Sequence, residues 1–269
     1  MARKDNLVFT SDDEEYFGEA GSFGVPKFDI EMRGGIPRGF TVVCIVETGA
    51  GVELFAKQFS SPAEEPENTL YVSTSESAKE ILRVFNKYGW PDDINVRTIG
   101  EEYNERVLEK ELQASRYRLQ GFGMKEIQTL AQTRFVDEES DDFLTELTNE
   151  IMTLKPYFRA VVDNLDFFFQ RNDHSKVVSM LRMMQAHTQM TRGLLLMTVS
   201  KDTITKATES QISMIADMVL RFEVVMVGTE FETRMVIKKF RNAPENLAVI
   251  TYRVTPEEGI TPETVQRIA

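Results

Sequence analysis

The stretch FTVVCIVETGAGVE, residues 40–53, decides how this chain is read. Its first seven residues form an unbroken β-branched and apolar run, the pattern of a strand buried on both faces. Gly49 and Gly51 then punctuate a tight turn, after which Leu54, Phe55, Gln58 and Phe59 recur at helical spacing. Strand, loop and helix in that order predict an α/β unit with a helix N-terminus at the carboxyl end of a buried strand.

The same unit repeats outward. Residues 69–73 read as a second strand, followed by a helix whose apolar face is Ile81, Leu82, Val84 and Phe85 and which ends near Gly89. A short strand over residues 94–99 leads into a charged, solvent-exposed helix over residues 101–119, and a further helix over residues 141–154 carries Phe143, Leu144, Leu147 and Ile151. Ala160, Val161 and Val162 enter Asp163 as a buried strand would, a helix over residues 175–191 follows, and residues 194–199 form the next buried strand. Met180, Met183, Met184 and Met190 make a stripe on that helix, read as core filling, with an adaptable binding surface as the other reading. From Met218 the pattern changes to three consecutive strands, residues 218–227, 233–241 and 247–254, joined by short turns. Alternating units that close in hairpins predict a mostly parallel sheet with an antiparallel C-terminal extension.

Composition bounds the function. A chain of 269 residues, 42% hydrophobic with 18 Phe, can bury a large core, and no repeat or linker divides it, so one principal domain is expected. The expected boundaries are an acidic N-terminal tail over residues 1–22, the domain over 23–260 and a C-terminal tail over 261–269. A net charge of -12 opposes unassisted binding to nucleic acid. The opening MARKDN turns acidic at Asp12, Asp13, Glu14 and Glu15 without a signal-peptide core, and no run reaches the ~18 apolar residues of a membrane span. A cytoplasmic protein is expected. The single cysteine, Cys44, lies inside the apolar run, reads as a small buried hydrophobe rather than a reactive thiol, and can form no internal disulfide. His174 and His187 have no ligand spacing for zinc and read as structural or exposed.

Several motifs resemble the KaiC/RadA-like branch of the RecA superfamily of P-loop ATPases, over roughly residues 24–260. FGVPKFD followed by RGGIPRG is similar to the family's lead-in, with Gly24, Asp29, Gly34, Gly35, Pro37 and Gly39 in its turn positions. The phosphate-binding loop, G-x-x-x-x-G-K-[ST], falls on VETGAGVE, residues 46–53. Thr48, Gly49, Ala50 and Gly51 keep the loop, while Val46, Val52 and Glu53 stand for the first Gly, the Lys and the Ser/Thr. A cation is thereby lost and an anion placed ~5 Å from a phosphate, which Coulomb's law puts at about 1–3 kcal/mol of repulsion per charge pair. Tight MgATP binding is therefore not expected, unless Glu53 ligates a divalent cation that bridges it to phosphate.

In the resembling family an acidic pair follows the second strand and its first member activates water. Here YVSTSES has Ser75 and then Glu76, and Ser75 cannot act as a base near neutral pH. Ser75 or Ser77 read equally as a helix N-cap. FRAVVDNLDFFF resembles the Walker B strand, with Asp163 as the magnesium-linked residue or as a structural acceptor, Asn164 where Ser is usual, and Asp166 beyond. IADMVLRF and MVIKKFRNAP resemble the closing strands, which puts Lys239 and Arg241 in the Lys-x-Arg positions that reach a neighbour's nucleotide in oligomeric relatives. Period-two alternation would aim both at one face, and edge-strand charges that prevent aggregation are the competing account. The C-terminal style is also close to the archaellum accessory ATPase FlaH.

The resemblance implies a regulatory or scaffolding pseudo-ATPase, archaeal and tied to signal transduction, because the Lys, the Ser/Thr and the first acidic residue are replaced together. It implies a homo-oligomer or association with a KaiC-like paralogue or another protein. ATP, ADP and Mg are left as doubtful cofactors, with no metal ligand and no catalytic residue assigned. The enzyme alternative is a divergent ATPase or autokinase using Glu53, Glu76, Asp163 and a neighbour's Lys239 and Arg241, or a FlaH-like motor accessory protein. A DNA-binding recombinase accessory is disfavoured by the acidic balance.

Overall fold

The computed structural model describes residues 20–32, 34–61, 67–119 and 142–267. The acidic stretch Asp12 to Glu15 therefore lies outside the described residues. Eleven strands and eight α-helices are set out among them: β1 Ala20–Gly21, α1 Pro26–Glu31, β2 Ile36–Pro37, β3 Thr41–Val46, α2 Val52–Phe59, β4 Thr69–Ser73, α3 Ala78–Tyr88, β5 Asn95–Thr98 and α4 Ile99–Leu119. Beyond these come α5 Phe143–Thr153, β6 Arg159–Asp163, α6 Asp166–Arg171, α7 His174–Thr191, β7 Leu194–Ser200, α8 Lys206–Ile215, β8 Met218–Val227, β9 Glu230–Phe240, β10 Ala248–Thr255 and β11 Gly259–Arg267.

The main sheet has nine strands in the order β11-β10-β9-β8-β3-β7-β6-β4-β5. From β8 to β5 every pair is parallel, while β8 to β11 pair antiparallel, so the expected mostly parallel α/β sheet with an antiparallel extension is what the chain forms. Alternation along β3 shows why this strand organises the molecule. Val42 and Cys44 face one core cluster with Phe55, Phe59 and Phe222, whereas Val43 and Ile45 face a second with Leu147, Phe168 and Leu181. A strand buried on both faces must be apolar at nearly every position, and residues 42–46 obey that rule. Burial raises the Cys44 thiol well above its ordinary range, with the Asp163 charge adding to it, so this cysteine is a neutral core residue.

Three details depart from the sequence reading. Within the methionine stripe only Met184 is fully buried and Met180 packs partly, while Met183 and Met190 are 46% and 83% exposed. Met183 and Met190 stand about 100–120° around the helix from Met184, off the narrow face that α7 turns to the sheet, so the stripe is wider than its core. The stretch from residue 261 reads as a tail, yet β11 continues to Arg267, paired antiparallel with β10. The Ile, Thr and Val content of ITPETV suits an edge strand, and Pro262 on it is tolerated there. Lastly β9 ends at Phe240, so Arg241 stands in the following turn instead of alternating with Lys239.

Two long-range polar ties hold the layers. Arg159 is fully buried at the start of β6; its guanidinium donates to Glu67, to the Ser22 carbonyl at 2.8 Å and to the Phe59 carbonyl at 3.0 Å. Arg38 meets the same Glu67 carboxylate, and the Arg159 guanidinium lies 4.6 Å from the Phe59 ring centroid. The second tie is Gln58, whose amide donates to Glu258 O at 2.9 Å and accepts from Ile260 N–H at 2.9 Å, so a helix side chain takes the place of a pairing strand at the β10–β11 turn. In Gln58→Leu the buried Ile260 N–H loses its acceptor, and a loss of about 1–3 kcal/mol is expected in chemical denaturation. An unchanged midpoint would show that the turn is held by the sheet alone.

Candidate functional site

The carboxyl ends of β3, β6 and β7 and the segment after β4 enclose a cavity of about 460 Å³. This is where a sheet whose strand order reverses about β3 opens a crevice, since β4 is laid down on one side of β3 and β8 on the other. Gly49 and Gly51 adopt φ of 86° and 72°, the left-handed region that a side chain disfavours, and Gly51 is the N-cap of α2. The loop therefore delivers the first backbone N–H groups of α2 to the cavity, the arrangement that favours an anion. The two residues after Gly51 oppose one. Val52 is 7% exposed and packs into the core, and the Glu53 side chain stands exposed in the first helical turn. The loop is braced from behind, where the Tyr252 hydroxyl donates to the Ala50 carbonyl.

Carboxylates dominate the lining. Glu47, Glu53, Glu76 and Asp163 all face the cavity, and no Lys or Arg is among its described lining residues. Glu47 is neutralised at the rim by the Lys201 ammonium and also accepts from the Val224 N–H at 3.1 Å. The Lys201 hydrogen bond first, and then that backbone N–H, hold Glu47 below the usual carboxylate range. A depressed acid stabilises the fold above its unfolded-state pKa and ceases to do so as pH falls through its folded value. Glu47→Gln should thus be less stable than the parent at about pH 7 in urea denaturation, and the difference should shrink as the pH falls below the usual carboxylate range. A pH-independent difference would refute this assignment.

Asp163 ends β6 with both oxygens engaged: Tyr71 donates to Oδ2 at 2.9 Å and Thr198 to Oδ1 at 2.8 Å. Burial foremost, and then the Asp163 charge, push the Tyr71 phenol well above its ordinary range, so it serves as a neutral donor. Asp166 is a local clasp, accepting from the Ser200 N–H at 3.2 Å and the Thr203 hydroxyl at 2.8 Å. Ser75 is exposed, and Ser77, not Ser75, is the N-cap of α3, in a capping box with Glu80. Glu76 has its backbone N–H on Ser73 Oγ at 2.9 Å and its carboxylate on the Lys57 ammonium.

Lys57, Tyr71 and Thr198 did not stand out in the sequence. Lys57 carried one signal, a charge among Phe55, Ala56 and Phe59 on a helix that has to be buried, but its partner is nineteen residues away on another element. Lys239 and Arg241 sit elsewhere: Lys239 is in register with Val219 near the start of β8 and Arg241 follows β9, at the other end of the parallel strands from the cavity. Lys239 donates to the carbonyls of Ser213, Met214 and Ala216, closing the end of α8, and loss of water around it lowers its pKa. Arg241 pairs with Asp217 at 2.6 Å, and Asp217 in turn accepts from the Thr41 N–H at the start of β3. His174 meets Thr208 and His187 meets the Leu154 carbonyl, and no group of three or more His, Cys, Asp or Glu suited to a metal occurs among the described residues.

A parallel sheet with this strand order, a glycine loop feeding a helix at β3 and an aspartate ending β6 define a RecA-like P-loop NTPase fold. Residues 21–263 match the model of the family described as an ATPase, KaiC, and the chain belongs to that family. Among solved structures it is similar to the KaiC-like protein PH0186 from the hyperthermophilic archaeon Pyrococcus horikoshii OT3, with a TM-score of 0.61 and 19% identity over 91% of this chain and 99% of that one. It is also similar to the flagellar accessory protein FlaH from Methanocaldococcus jannaschii, with a TM-score of 0.64 and 15% identity over 88% of this chain and 95% of that one. No curated protein matches. None of the helices among the described residues is long and apolar enough to cross a membrane.

Proposed function

We propose that this KaiC-family chain is a non-catalytic member, a regulatory or scaffolding protein of archaeal signal transduction or assembly that binds MgATP weakly or not at all. The observation that carries the reading is the pair Val52 and Glu53 at the start of α2, an apolar residue sunk in the core and a carboxylate facing the cavity. A triphosphate entering there meets Glu47 and Glu76, whose ammonium partners Lys201 and Lys57 are already taken up, and Glu53 and Asp163, with no Lys or Arg among the described lining residues. Each uncompensated carboxylate near a phosphate costs about 1–3 kcal/mol, and each 1.4 kcal/mol is about tenfold in affinity. With turnover gone, the body is retained for contact with copies of itself, a KaiC-like paralogue or another protein. Lys239 and Arg241, which close α8 and grip Asp217 within the chain, are the residues placed to meet a neighbouring copy.

Calorimetric titration with MgATP together with phosphate release tests this. Heat too weak to fit at micromolar protein and no phosphate above the blank are expected, and micromolar affinity with turnover overturns the reading. The competing ATPase or autokinase would lose its activity in Asp163→Asn.

A further inference from the structure

Lys57 lies on α2 one helical turn beyond Glu53, with its side chain 2% exposed. An ammonium withdrawn so far from water has to be met by an anion and by acceptors. It meets the Glu76 carboxylate, reaches the Glu53 carbonyl at 3.4 Å and sits 5.8 Å from the Tyr71 ring centroid. Tyr71 carries the chain of contacts on to Asp163 and Thr198, so a continuous polar floor runs beneath the cavity from α2 to β7. Of the two partners, Glu76 lines the cavity and Lys57 does not. The lysine acts from behind the wall.

Glu76 is the one carboxylate after β4 that could take a proton from water in this cavity, because the residue before it is Ser75. Its main chain is pinned by Ser73 and its side chain is drawn against α2 by Lys57. We propose that Lys57 is a positioning residue that locks Glu76 out of use as a base, a block on hydrolysis that is separate from the altered loop. The proposal rests on the non-catalytic reading above and adds a second cause to it. Repairing the loop alone then restores binding without turnover.

Two measurements decide it. Carbodiimide coupling of carboxyls to an amine, read by mass spectrometry on the intact chain, should label Glu76 much more slowly than Glu53, and Lys57→Met should bring the two rates together. Equal labelling of Glu76 in the parent and in Lys57→Met overturns the lock. In a Val52→Lys/Glu53→Thr background that binds MgATP, adding Lys57→Met should bring phosphate release from the blank to about 100-fold above it with the affinity for MgATP little changed, and adding Glu76→Gln as well should return it to the blank. Hydrolysis by the loop-repaired chain as fast as by the triple variant overturns the proposal, as does MgATP binding by the triple variant without a rise in kcat. Lys57→Leu replaces Lys57→Met if the latter does not fold, since it also fills the apolar surroundings without donating to Glu76. If the repaired loop does not bind MgATP, the labelling comparison decides alone. Turnover by the unmodified chain would sink the non-catalytic reading. If Lys57→Met abolished that turnover, the lock would fall too, since the lysine would then be aiding the chemistry.

Discussion

Val52→Lys/Glu53→Thr is expected to raise the affinity for MgATP by about 30-fold or more over that of the parent chain. The two changes act on the same phosphates: one removes a repulsive charge pair and the other adds an attractive one, each worth about 1–3 kcal/mol at ~5 Å. The scaffold they need is present, because Gly49 and Gly51 already hold the left-handed turn and α2 already points its N-terminus into the cavity. Threonine adds a hydroxyl of the kind that holds magnesium in this motif. Lysine at position 52 has to leave the packed site that valine fills, and its flexible stem lets the ammonium reach the solvent side. Isothermal calorimetry of parent and double variant side by side measures the gain, and no change in affinity would show that the loop replacements are not what keeps nucleotide out.

Arg159→Met should be the most damaging single change away from the cavity. It takes one of the described cations, beside Arg38, from the buried Glu67 carboxylate and removes donors from the Ser22 and Phe59 carbonyls. Glu67 keeps Arg38, so the loss comes mainly from the two buried carbonyls that lose the Arg159 donor, at about 1–3 kcal/mol each, with the weakened charge cluster adding to it. For a domain of this size that corresponds to a fall in Tm on the order of 10 °C. The double variant Arg159→Met/Glu67→Gln should recover part of the loss, and additive losses in the two single variants would refute the coupling.

The parallel core was legible because its strands are apolar through their centres: residues 42–46, 70–72, 160–162 and 194–197 have no polar face to misread. The loop was equally legible, since Gly49 and Gly51 mark φ values that few other residues take. The pairing of charges was not. Lys57 with Glu76, Arg159 with Glu67 and Lys239 with three carbonyls of α8 and its end join segments far apart in the chain, and local periodicity holds no record of such partners. Resemblance placed Lys239 and Arg241 by their motif, yet the fold gives both of them intramolecular work. The methionine stripe misled for a related reason: spacing reports which residues share a side of a helix, not how much of that side a neighbour covers.

Tyr252 gripping Ala50 and Gln58 gripping the Glu258 to Ile260 turn fasten both ends of α2 to the antiparallel extension. The outer strands thus work as a splint on the glycine loop.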